Sequence, residues 1–179
     1  MVDTARTRPN LLTLLADNVS GDVSPQDIRD FLVSVLGGYG AISTADSASS
    51  QGSLSDVTPT LLTAFTANGV AASDVTPDHT SDDITVGVAG DYAVTLSASF
   101  AGSNLTNYIL QFAVDGTPVA AHKMQRKIGT GTDVGHGSLT AILTLAAGEA
   151  VSVYVSIVET PAAQTINIKH ATLCLRRVG

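Results

Sequence analysis

The sequence predicts a mainly β fold, an antiparallel β-sandwich or jelly roll, preceded by a short N-terminal helical anchor and an extended arm. Three observations carry this. From about Leu61 onward, apolar side chains alternate with small polar ones at the period of a half-buried strand. Turn residues punctuate the pattern without any helical segment between them. Ahead of it, residues 24–36 show the spacing of one helix face instead. Hydrophobic residues make up 44% of the 179, enough for a core, while aromatics are 4% and Trp is absent. That core must therefore come from Val, Leu, Ile and Ala.

In chain order, three zones appear: an anchoring segment at 1–40, a linker or arm at 41–60, and a β-domain at 61–179. The first opens with "NLLTLLADN" (10–18), a short apolar turn or helix that Asn18 and "SGD" (20–22) bring to an end. In "GDVSPQDIRDFLVSVLGGYG" (21–40), Ser24 suits the N-cap, Pro25 the first turn and Asp27 the positive end of the dipole. Gly37 and Gly38 stop the helix. "AISTADSASSQGSLSDVTPT" (41–60) lacks bulky residues and reads as a linker.

Within the β-domain, weaker strands are expected at "LLTAFT" (61–66) and "DITVGV" (83–88). "DYAVTLSASF" (91–100) alternates Tyr92, Val94, Leu96, Ala98 and Phe100. "NYILQFAVDG" (107–116) aligns Tyr108, Leu110, Phe112 and Val114 and ends in the turn pair Asp115-Gly116. "SLTAILTLAAGE" (138–149) and "AVSVYVSIVE" (150–159) follow, with a turn at Gly148. In "QTINIKHATLCLRRV" (164–178), Ile166 and Ile168 are out of phase with Leu173 and Leu175, and a bulge near Lys169–His170 reconciles them. About eight strands result.

The formal net charge of −7 argues against a nucleic-acid partner or an anionic membrane surface. No Lys or Arg lies between Arg29 and Lys123, so a long neutral stretch suits packing against identical neighbours. Cys174 stands alone in a strand-like segment and supports no intrachain disulfide. The N-terminal apolar run is too short for a signal-peptide core, and no stretch reaches the length of a membrane span. A soluble protein made in a cytoplasm is expected, with no membrane partner.

Residue types capable of chemistry gather in four places. Asp74, Asp78, His79, Asp82 and Asp83 offer hard oxygen ligands, but their spacing matches no calcium loop. "IGTGTDVGHGS" (128–138) lacks the ending of a phosphate-binding loop, and His122, His136 and His170 have no nucleophile at recognisable spacing. Asp91, Asp115, Asp133, Glu149 and Glu159 are the carboxylates available for a glycosidase pair, and three of them sit beside glycines at strand ends. Lys123, Arg126 and Lys127 form a basic patch without aromatic interleaving. No catalytic residue, metal or cofactor is assigned, and a non-enzyme is expected.

The helix must dock somewhere, on its own β-domain or, as the favoured reading, on another subunit or a different protein. Five large side chains on one face gain roughly 10 kcal/mol at most on burial, and an isolated helix of that length is marginal in water. An arm of about 20 residues reaches roughly 65 Å, further than docking on its own domain requires. The expected anchoring interface is Leu11, Leu12, Leu14 and Leu15 with Ile28, Phe31, Leu32, Val35 and Leu36.

Two pieces carry a resemblance. "LLTLLADNVSGDVSPQDIRDFLVSVLGGYG" (11–40) resembles an N-terminal segment of tailed-bacteriophage structural proteins. The matching residues are Asp17, Asn18, Gly21, Ser24, Pro25, Gln26, Asp27, Arg29, Asp30, Ser34 and Tyr39. "AGDYAVTLSASFAG" (89–102), "YILQFAVDG" (108–116) and "LTLAAGEAVSVYV" (143–155) resemble the C1q/TNF-like jelly roll of phage head fibres, decoration proteins and tail fibres. The resemblance implies a homotrimer on the virion, made in the host cytoplasm, whose N-terminal segments grip the major capsid protein or another virion protein. A capsid decoration or head-fibre subunit is the leading expectation, since neither a long shaft nor an added tip domain is seen. The alternative is a tail or baseplate fibre head that binds host glycan through loops 101–107 and 128–137.

Overall fold

The structure, a computed structural model, describes residues 24–35, 37–55, 58–131, 133–158 and 164–179. One helix, α1 (Pro25–Val35), precedes eleven strands among these residues: β1 (Tyr39–Leu54), β2 (Thr60–Leu61), β3 (Ala67–Asn68), β4 (Val75–Asp78), β5 (Asp83–Val86), β6 (Gly90–Gly102), β7 (Asn107–Val114), β8 (Thr117–Lys127), β9 (Gly135–Leu145), β10 (Ala150–Ile157) and β11 (Gln164–Arg177). They form two antiparallel sheets, one in the order β3-β1-β11-β6-β9 and the other in the order β4-β5-β10-β7-β8 with β2 also on β10. The sandwich predicted from the alternation is therefore present.

The core lies between the sheets and is largely aliphatic, as the composition requires. Val94, Leu96, Leu110, Ile84, Val153, Val155, Ile168 and Leu173 are all buried there. Its five aromatics are Phe65, Tyr92, Phe100, Tyr108 and Phe112, with Phe100 and Tyr108 meeting edge-on at 5.7 Å and 71°. Asp115 and Gly116 both take positive φ (46° and 74°), the turn needed to return β7 into β8. In β11 the register on β6 slips between Ile168 and His170, so Lys169 is the extra residue of the expected bulge.

The linker expected over 41–60 is corrected. Residues 39–54 are a 16-residue strand that pairs along β11, from Tyr39↔Arg176 to Leu54↔Gln164. Its Ser and Ala content hid this, because besides Gly40 only Ile42, Thr44 and Leu54 are buried from it among the residues whose burial is described. Long-range pairing overrides weak local preference here. Three residues, 36–38, thus separate α1 from the sandwich, and the 65 Å tether does not exist. The strand expected at 61–66 is also corrected: only Leu61 belongs to a strand, β2, β3 begins beyond it at Ala67, and the chain between them is pinned otherwise. Asp82, itself buried, accepts hydrogen bonds from the Ala64 and Phe65 amides at 3.0 Å each.

The helix begins as predicted. The Ser24 hydroxyl accepts from the Asp27 amide at 3.2 Å, and Asp27 Oδ2 accepts from the Ser24 amide at 2.9 Å. This reciprocal pair satisfies donors that no helical carbonyl reaches. Gly37, at φ 60°, follows the helix in the left-handed conformation of a C-terminal stop.

Candidate functional site

The acidic stretch does turn chemistry. Asp78 Oδ1 accepts from the Thr80 amide (2.9 Å) and hydroxyl (2.6 Å), and its Oδ2 from the Ser81 hydroxyl (3.0 Å). Those bonds to the ionised form hold its carboxyl down at about 2. Asp83 moves the other way: burial raises it, and the neighbouring Asp78, Asp82 and Asp115 charges add to the rise. His79 is bound to Asn68 Oδ1 through its amide (2.7 Å), with Nδ1 at 3.1 Å from the same oxygen. Among the described residues no group of three metal-ligating side chains converges.

The carboxylates weighed as a glycosidase pair are dispersed over separate turns. Asp91 accepts from the Thr144 hydroxyl (2.6 Å), Asp115 from the Ala150 amide (2.8 Å), Asp133 from the Gly129 amide (2.6 Å), and Glu149 from the Ala146 amide (2.8 Å). Glu159 lies outside the described residues. Burial pushes the Cys174 thiol up, the opposite of an activated nucleophile.

Two surfaces stand out instead. The first is α1. Ile28, Phe31 and Leu32 remain 52%, 40% and 53% exposed, although the helix follows directly into a packed sandwich. Of the other expected anchoring residues, Leu11, Leu12, Leu14, Leu15 and Leu36 and the side chain of Val35 lie outside the described set.

The second surface is the outward face of the five-stranded sheet, which sequence reasoning did not single out. Cross-strand register sets its rows: Tyr39, Arg176, Ala93, Ile142; then Ala41, Cys174, Thr95, Thr140; then Ser43, Thr172, Ser97, Ser138; then His170, Ser99, His136. The two middle rows carry no charge, and Ile142 stands 63% exposed beside them. Small side chains leave this face flat. Its one sequence signal was the long stretch without Lys or Arg.

At the end of the sandwich away from α1, the end of β6, the start of β11 and Ser103 frame a depression of about 300 Å³ lined by Ala101, Gly102, Ser103, Thr165 and Asn167. Its shape is fixed by Tyr108, whose hydroxyl donates to the Thr165 carbonyl (2.6 Å) and accepts from the Ser103 amide (2.7 Å). A Cβ on Gly102 would fall 2.4 Å from that hydroxyl, so only glycine fits. Leu105 (55% exposed, φ 61°), Val134 and Val158 sit in loops at this same end.

No family model matches the sequence, and no curated protein matches it. Solved structures do match in fold. The globular domain of zebrafish complement 1qA protein superposes with a TM-score of 0.52 at 15% identity, over 80% of this chain and 98% of that one. The Eiger TNF of S. frugiperda gives 0.50 at 13% identity, over 80% and 93%. With two five- and six-stranded antiparallel sheets and first and last strands side by side, the chain has the C1q/TNF-like jelly-roll fold.

Proposed function

We propose that this chain is a non-enzymatic phage virion structural protein, a capsid-bound decoration or head-fibre subunit. It attaches through its N-terminal segment and trimerises through its β-domain. The observation that carries attachment is the exposed apolar ridge of Ile28, Phe31 and Leu32 on a capped helix. Covering each half-exposed side chain contributes roughly 1 kcal/mol, and the major capsid protein or another virion protein supplies the cover. The "DN…SPQD" residues of the same segment support a phage partner by resemblance, and the capsid surface is then the location. The flat, uncharged sheet face supports self-association, because packing identical faces about an axis costs little desolvation there.

The test is to express the tagged full chain in cells producing the phage and purify the particles. Wild-type protein is expected on the heads by immunogold, and the variant Ile28→Ser/Phe31→Ser/Leu32→Ser is expected to be missing from them. Particles that never carry the wild-type protein overturn the proposal. A second reading, a tail or baseplate fibre head binding host glycan, is favoured by the depression beside Asn167, whose Oδ1 is buried without a hydrogen-bond partner. Gold at tail tips together with a glycan-array signal selects it.

A further inference from the structure

The six-stranded sheet is charged oppositely at its two edges. One edge is β8, where Lys123, Arg126 and Lys127 are all exposed and the strand holds no carboxylate. The other is the β4–β5 hairpin, with Asp78 and Asp83 facing each other in register and Asp82 between them in sequence. That edge holds no Lys or Arg, because none occurs between Arg29 and Lys123. Among the described residues the ion pair seen in the chain is Arg177 with Asp74 at 4.0 Å, and it uses neither the β8 cations nor Asp78 or Asp83. Both edges are therefore left uncompensated within one subunit.

Asp83 and Lys123 lie at similar heights along the sheet, whereas Arg126 and Lys127, opposite Tyr108 and Asn107, lie roughly 16–20 Å further along. Asp83 pairs with Ser152, which pairs with Ala113 of β7. Lys123 pairs with Gln111, two residues along the same strand, a rise of roughly 7 Å. A rotation about an axis along the sandwich preserves height, so a ring of copies brings one edge to the other within reach of a lysine side chain. We propose that the basic β8 edge of one copy docks against the acidic β4–β5 edge of the next, head to tail, forming a charged rim around the neutral sheet faces. This contact is heterologous and closes when three copies complete the circle. Such a rim sets register and speeds encounter more than it adds affinity, and it is weakened by salt.

Lysines on an edge strand also keep that strand from pairing with another, and reversing their sign separates the two roles, since glutamates protect an edge equally well. The inference rests on the self-association reading. The experiment measures self-association of the full chain at low salt by sedimentation, with circular dichroism as the check on folding. Lys123→Glu is expected to weaken association at least tenfold, as is Asp78→Lys/Asp83→Lys. Because Asp78 also holds its turn, Asp83→Lys alone serves as the second acidic-edge variant. Combining both reversals in one chain is expected to restore association. A wild-type oligomer that neither reversal weakens overturns the edge contact and leaves self-association standing. A wild-type chain that stays monomeric overturns both.

Discussion

Asp82 and Asp78 stand four residues apart in sequence and have different roles. Asp82 is a buried acceptor for two backbone amides of the segment between β2 and β3. Asp82→Ala leaves those amides buried without an acceptor, and losing hydrogen bonds to a charged group costs roughly 2–4 kcal/mol. Urea unfolding should show that loss, whereas Asp82→Asn, which keeps an acceptor oxygen, should recover part of it. Asp78 is exposed, and its bonds act on its titration: the carboxyl falls from an ordinary 3.8 to about 2. A depressed folded-state value stabilises the native turn above about pH 4, and the contribution disappears as pH falls through about 2. Carbon-13 shifts of the Asp78 carboxyl should place its midpoint near 2 in the folded chain, and Thr80→Val/Ser81→Ala should move it back up.

At the scale of elements, α1 and β1 show what sequence reveals and what it hides. Capping chemistry is local: Ser24, Asp27 and Gly37 lie within a few residues of the ends they define, so the helix was legible. The strands with alternating large residues, β6, β7, β9 and β10, were legible for the same reason, and so was the Lys169 bulge. β1 was not, because its strand identity comes from the full length of β11 beside it rather than from its own Ser and Ala. β8 was read only as a basic patch, since the inward side of this edge strand carries His122 and Met124 rather than a run of large aliphatics, and only Met124 packs against the core. The glycines of "GHG" read as loop, yet Gly135 and Gly137 lie in β9. A Cβ at either would come 2.7 Å from Ile128 or Met124, respectively. One consequence concerns α1. Because its apolar ridge is exposed, Ile28→Ser/Phe31→Ser/Leu32→Ser should leave the thermal midpoint within about 2 °C of wild type, the range of a surface change. A drop of 10 °C or more would mean that the ridge packs on its own domain.

For the whole molecule, the question is which face a jelly roll uses. The exposed apolar stripe of the helix was legible, but the flat sheet face was not. It is made of Ser, Thr and Ala on four strands that are distant in sequence, and only register brings Ala41, Cys174, Thr95 and Thr140 into one row. Cys174 in that row makes the face measurable, because association should cover the thiol and slow its reaction with maleimide at rising protein concentration. Ile142 sits at the margin of the same face, and Ile142→Arg places a charge on the surface proposed to pack in the trimer. The most direct measurement is native mass spectrometry of the full chain at micromolar concentration and low salt. Wild type should appear at three times 18.2 kDa and Ile142→Arg at 18.2 kDa with an unchanged circular dichroism spectrum. A wild-type chain found at 18.2 kDa across the whole concentration range would contradict the account.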